Sequence, residues 1–100
     1  MPRPLSEREL LDALADLPGW QGSPRALSCT LRFADFAEAF SFMARVAAEA
    51  ERLDHHPDWR NVWNLVEIRL STHDAGDRVT DRDVALAREI VRIAGPRLGA

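Results

Sequence analysis

A chain of 100 residues with 46% hydrophobic side chains has material for one modest core, so residues 1–100 are read as a single domain that would gain stability from homo-oligomerisation. A net charge of -3, with arginines interleaved among Asp and Glu, excludes the broad basic field that nucleic acid requires. Lone Cys29 excludes an internal disulfide, and there is no secretory segment or run of about 18 apolar residues, so no membrane partner is expected and the setting is read as reducing and cytoplasmic.

The elements follow from caps and periodicity. Ser6 and Glu9 have the spacing of a capping box, and Leu10, Leu11, Leu14 and Leu17 continue on one helical face until Pro18-Gly19 stops it. Trp20 lies on a short strand, Gly22-Ser23-Pro24 is a turn, and Leu27, Cys29, Leu31 and Phe33 then alternate with Ser28, Thr30 and Arg32 as a half-buried strand does. A hairpin results. Asp35 and Glu38 form a second capping box before a long helix, with Phe36, Ala39, Phe40, Met43, Val46, Ala47, Ala50 and Leu53 inward and Glu38, Arg45, Glu49 and Arg52 outward. Pro57 disfavours α geometry at His56, which ends this helix at about His55.

Asn61 to Thr72 alternates again and is read as a second long strand, with Val62, Val66, Ile68, Leu70 and Thr72 on one face and Trp63, Leu65, Glu67, Arg69, Ser71 and His73 on the other. After the polar loop Asp74 to Val79, Thr80 and Asp83 cap a last helix with Val84, Ala87, Ile90, Val91 and Ala94 inward, ended by Gly95-Pro96. The expected fold is α+β: a single antiparallel sheet of about four strands with three helices packed on one face.

The chemistry concentrates in the three histidines, His55 and His56 before Pro57 and His73 in Ser71-Thr72-His73. Imidazole exchanges protons near neutral pH, so gathering all of it at one helix end and one strand end suits taking a proton from one atom and giving one to a leaving oxygen. Glu51 lies one helical turn before His55 and is expected to orient it. Three His with Glu51, Asp54 and Asp58 lack a stringent ligand spacing such as His-x-x-x-His, so no metal is expected. Asp83 reads locally as a first-turn cap, Cys29 as core, and Trp20, Trp59 and Trp63 as packing. No phosphate loop or nucleophile elbow is visible.

Glu51-Arg52-Leu53-Asp54-His55-His56-Pro57-Asp58-Trp59, then Asn61-Val62-Trp63-Asn64, then Val66 to His73, closely resembles the pterin-4a-carbinolamine dehydratase family. Gly19-Trp20, Phe33-Ala34-Asp35-Phe36, Phe40 to Ala47, Asp81-Arg82-Asp83 and Ala85-Leu86-Ala87 extend the resemblance through nearly the whole chain. It implies dehydration of a 4a-hydroxytetrahydropterin to the quinonoid dihydropterin, a step of tetrahydropterin recycling that needs no cofactor. Carried over position by position, it implies His55, His56 and His73 as active-site histidines, Glu51 as their supporting carboxylate, Asp83 as a further active-site residue, and Asp54, Ser71, Thr72 and Asp74 around the pterin. It also implies a homodimer or homotetramer, and an alternative function, a non-catalytic dimerising partner of another protein. Two departures stand out: Trp63 where the family commonly has Tyr, and Asp77 where a second Gly often follows Gly76.

Overall fold

A computed structural model describes residues 2–95. Its elements are α1 (Glu7–Ala15), β1 (Gln21–Gly22), β2 (Leu27–Arg32), α2 (Phe36–Leu53), β3 (Asp58–Val62), β4 (Leu65–Leu70), a single 3-10 turn (His73–Ala75) and α3 (Asp81–Ala94). The four strands form one antiparallel sheet in the order β1-β2-β4-β3, and the three helices complete the expected α+β architecture. Pro96, placed by the sequence just past the last helix, lies outside the described residues.

Each helix starts where its cap predicts. Ser6 and Glu9 close a reciprocal capping box, Asp35 Oδ1 accepts from the Glu38 N–H at 2.8 Å, and Thr80 and Asp83 form a second reciprocal box. Such caps satisfy N–H groups that the first turn leaves without partners, each contributing about 1 kcal/mol. Leu27, Cys29 and Leu31 of β2 and Val66, Ile68 and Leu70 of β4 turn inward, where Phe33, Val46, Leu86 and Ile90 join them in one apolar cluster. α2 packs on β4 and against α3, while α1 lies on β1. The close seat of α1 depends on Gly22: a Cβ there would come within 2.9 Å of Leu27 Cδ2 and 3.2 Å of Leu14 Cδ1.

Several expectations are corrected. The alternating stretch from Asn61 to Thr72 is not one strand but a hairpin: Val62 pairs with Leu65, and Trp63-Asn64 form the turn. Trp63 takes the left-handed φ of 51° that a two-residue hairpin turn calls for, and buried Asn64 secures the turn by donating from Nδ2 to the Phe33 carbonyl at 2.9 Å. Period-two alternation passes through such a turn almost unbroken, which is why it did not show. Trp63 is consequently 64% exposed rather than packed.

The buried stripe of α2 is the expected one except at its edges: Ala39, Val46 and Ala50 are buried and Met43 and Leu53 pack against the core, but Phe36, Phe40 and Ala47 drop out and Phe42 joins. Phe36 and Phe40 are exposed, their rings stacked at a tilt with centroids 5.9 Å apart. Apolar residues continue past the edge of the stripe, and only contact with the sheet decides where it ends. On α1, Leu11 is exposed for the same reason, while Leu10, and Leu17 in the turn that follows the helix, take core positions. Trp20 is buried as expected but precedes β1 rather than lying on it.

Candidate active site

The end of α2 and the end of β4 meet across a cleft of about 250 Å³ lined by Asp54, His55, His56, Ser71, Thr72, His73, Asp74 and Arg82. Seven of these come from the two sequence segments expected to converge; Arg82, on α3, is an addition. Its only local sequence signal is a position between two first-turn acids, which hides it as an ordinary surface arginine.

α2 ends two residues earlier than Pro57 alone suggests. Asp54 is its C-cap in the left-handed region (φ 51°, ψ 44°), and the His55 N–H reaches back to the Ala50 carbonyl at 3.0 Å. That reversal separates the adjacent imidazoles. His55 turns inward and is 8% exposed, while His56 stays at the surface. The same reversal corrects the partner of Glu51. Its Oε1 lies 3.0 Å from His56 Nε2, not against His55, because the chain has left the helical path before His55 is reached.

The partner of His55 comes instead from α3. Asp83 is 0% exposed and its Oδ1 sits 2.6 Å from His55 Nε2, while its Oδ2 accepts from the Thr72 hydroxyl at 2.7 Å and the Thr80 N–H at 2.9 Å. The Thr72 and Thr80 hydroxyls are also 2.7 Å apart. Asp83 is therefore both the cap expected of it and the group that orients a cleft imidazole. A buried carboxylate needs this many donors, since an unpaired one would not stay charged away from water. The network also joins the end of β4 to the start of α3, so the cleft has a rigid floor.

Thr72 and Ser71 line the cleft with their hydroxyls already committed, Ser71 Oγ donating to the Arg25 carbonyl at 2.9 Å. His73 opens the 3-10 turn, is largely exposed, and brings Nδ1 to 3.2 Å from Asp77 Oδ1. Each of the three histidines is thus paired with a carboxylate: His55 with Asp83, His56 with Glu51, and His73 with Asp77. Such pairing fixes which ring nitrogen carries the hydrogen and leaves the other for a substrate.

The remaining candidates fall elsewhere. Cys29 is buried in the sheet, and burial pushes its thiol up to about 12, which suits core packing and not nucleophilic attack. Trp20 is buried, Trp59 packs partly against the core, and neither they nor Trp63 line the cleft. Among the described residues, no group of three or more His, Cys, Asp or Glu is placed to hold a metal ion, and no helix is long and apolar enough to cross a membrane. A wider groove of about 500 Å³ between α1 and α3 is lined by Glu9, Asp12, Asp16, Asp81 and Arg88 over apolar residues, with no histidine.

Comparison with known proteins places the chain in a family. Residues 3–93 match the family described as pterin 4 alpha carbinolamine dehydratase. A relative from Opitutus terrae, named "Putative pterin-4-alpha-carbinolamine dehydratase", is 49% identical over 94 residues, covering 94% of this chain and 97% of its own. A relative of the same name from Rhodopseudomonas palustris is 51% identical over 96 residues, covering 94% of each. Among solved structures, a transcriptional coactivator/pterin dehydratase from Brucella melitensis superposes with a TM-score of 0.86 at 44% identity, over 91% of this chain and 98% of that one. A pterin dehydratase-like protein identified as a RuBisCO assembly factor in the alpha-carboxysome superposes with a TM-score of 0.62 at 25% identity, over 78% of this chain and 89% of that one. With a family match over residues 3–93 and relatives about half identical over most of its length, this chain belongs to the pterin-4-alpha-carbinolamine dehydratase family.

Proposed function

We propose that this protein dehydrates a 4a-hydroxytetrahydropterin to the quinonoid dihydropterin and water, by acid/base catalysis from His55, His56 and His73. The observation that carries the reading is three imidazoles, each held by a carboxylate, around one cleft. The reaction breaks the C4a–O bond and the N5–H bond and forms a C4a–N5 double bond, with no change of oxidation state. One imidazolium gives a proton to the departing hydroxyl, which leaves as water, and one neutral imidazole takes the proton from N5. The two transfers cancel, so the enzyme returns to its starting charge.

Within this reading Asp83 holds His55 with Nε2 occupied and Nδ1 available, and Glu51 does the same for His56. Asp54 and Asp74 on the rim, with backbone groups of Ser71 and Thr72, are the candidates for the amide-like edge of the pterin ring, whose donors and acceptors they can match. The protein serves tetrahydropterin recycling in the cytoplasm, as a homo-oligomer. Stopped-flow decay of the 4a-hydroxypterin transient tests the reading. The wild-type protein should accelerate decay, and His56→Ala or His73→Ala should remove most of the acceleration with the fold intact. Unchanged acceleration in both variants overturns it.

A second reading draws on the exposed Phe36, Phe40, Val62 and Trp63, which suit a face for association. A dimerising module of this fold that acts on another protein would keep its complex when the histidines are replaced.

A further inference from the structure

We infer that Asp77 is a positioning residue for His73, holding the imidazole with its hydrogen on Nδ1 so that proton exchange with the substrate runs through Nε2. The inference rests on the proposed role of His73 and adds to it a residue and a specific atom.

Asp77 is a surface residue, its side chain 65% exposed, but its backbone is held in place. Its backbone sits in the left-handed region, φ 57°, which carries a steric cost for any residue with a Cβ. The loop holds it there. The Asp77 N–H donates to the Thr72 carbonyl at 3.1 Å, the Gly76 N–H donates to the His73 carbonyl at 3.0 Å, and the Thr72 N–H donates to the Arg78 carbonyl at 3.0 Å. Thr72 is itself anchored through its hydroxyl to buried Asp83. The backbones at both ends of the His73–Asp77 contact therefore hang from one fixed point, and the short Asp side chain has few rotatable bonds to order. Its Oδ1 lies 3.2 Å from Nδ1.

His73 needs such a constraint more than its neighbours do. It is 92% exposed along its side chain, against 9% for His55, and without a partner the ring would turn freely and carry its hydrogen on either nitrogen. The two neutral forms of imidazole lie close in energy, so a hydrogen bond of ordinary net strength shifts their ratio by a factor of about three to ten. A bare carboxylate can only accept, so it selects the form with hydrogen on Nδ1. Nε2 then carries the lone pair when the ring is neutral and the transferable proton when it is charged. Whichever way the proton moves, it moves at Nε2. A substrate that excludes water from the cleft strengthens the contact further.

Long-range nitrogen–proton correlation spectra of the labelled protein, recorded where His73 is neutral, report which nitrogen bears hydrogen. Wild type should show Nδ1–H, and Asp77→Gly should move His73 to mainly Nε2–H. Glycine suits the positive φ, so the Asp77→Gly variant should fold at least as well as wild type. It should lower kcat for the 4a-hydroxypterin about three- to tenfold, with KM little changed. Asp77→Asn keeps an acceptor and tolerates the same backbone, and should retain most of both properties. An Nε2–H form already dominant in wild type, or wild-type kcat in a folded Asp77→Gly protein, overturns the inference. His73→Ala separates the two layers: if that variant keeps full turnover the proposed role of His73 fails, while the spectra still decide the contact.

Discussion

At the scale of single residues, Asp83 shows how one side chain serves folding and chemistry together. Its two oxygens are shared among a cap N–H, a threonine hydroxyl and an imidazole, all away from water. Removing it leaves those groups unpaired in the interior, so Asp83→Ala should destabilise the protein by about 3–5 kcal/mol in urea unfolding. Asp83→Asn, which keeps an acceptor, should cost less. By contrast His56 and His73 stand at the surface, where substitution away from packing stays within about 0.5 kcal/mol. A stability loss at Asp83 beside near-neutral changes at the two histidines would match the burial of each. The cap at Asp83 was legible from its three-residue spacing to Thr80. Its hold on His55 was not, because the two are far apart along the chain and only the seating of α3 brings them together.

At the scale of elements, helix ends carry the site and much of the local stability. Asp54 ends α2 in the left-handed region, where glycine is easier to accommodate, so Asp54→Gly should raise the unfolding free energy by at most about 1 kcal/mol. Because the backbone turn persists, His55 and His56 keep their places in that variant. Any loss of turnover then reports the Asp54 carboxylate itself. α1 offers a pH test. Hydrogen bonds from Arg3 and from Ser6 hold the Glu9 carboxyl well below its ordinary range, at about 2. A carboxyl so lowered adds stability that is complete above its unfolded value near 4.5 and disappears as pH falls through about 2. The stability difference between wild type and Glu9→Gln should therefore be present at neutral pH and fade over that window. Both groups are exposed, so the difference should be small and should shrink in high salt. Helix starts such as this one were legible because capping is local. The edge of the buried stripe of α2 was not: Phe36 and Phe40 continue it at helical spacing yet lie exposed, while Phe42 is buried.

At the scale of the whole molecule, five large apolar side chains among the described residues, Leu11, Phe36, Phe40, Val62 and Trp63, remain exposed in the single chain. Leaving such side chains in water is unfavourable, and a symmetric partner is the simplest way to cover them. Sedimentation should give a mass at least twice the chain's 11.2 kDa, and Phe40→Asp should lower it; a wild-type monomer would show that these residues face water in solution.

Caps, strand alternation and the supply of proton-carrying groups could all be read along the chain, because each depends on residues a few positions apart. Helix starts and the inward faces of β2 and β4 followed from that local order, as did the place of His55 and His56 at a helix end; that His73 joins them in one cleft is a product of the tertiary fold. Pairing did not. Glu51 with His56, Asp83 with His55, Asp77 with His73, and the hairpin hidden at Trp63-Asn64 were decided by the folded chain. A left-handed turn lasts one residue and leaves no period, yet it redirects every side chain after it, and a contact between distant elements has no spacing to betray it.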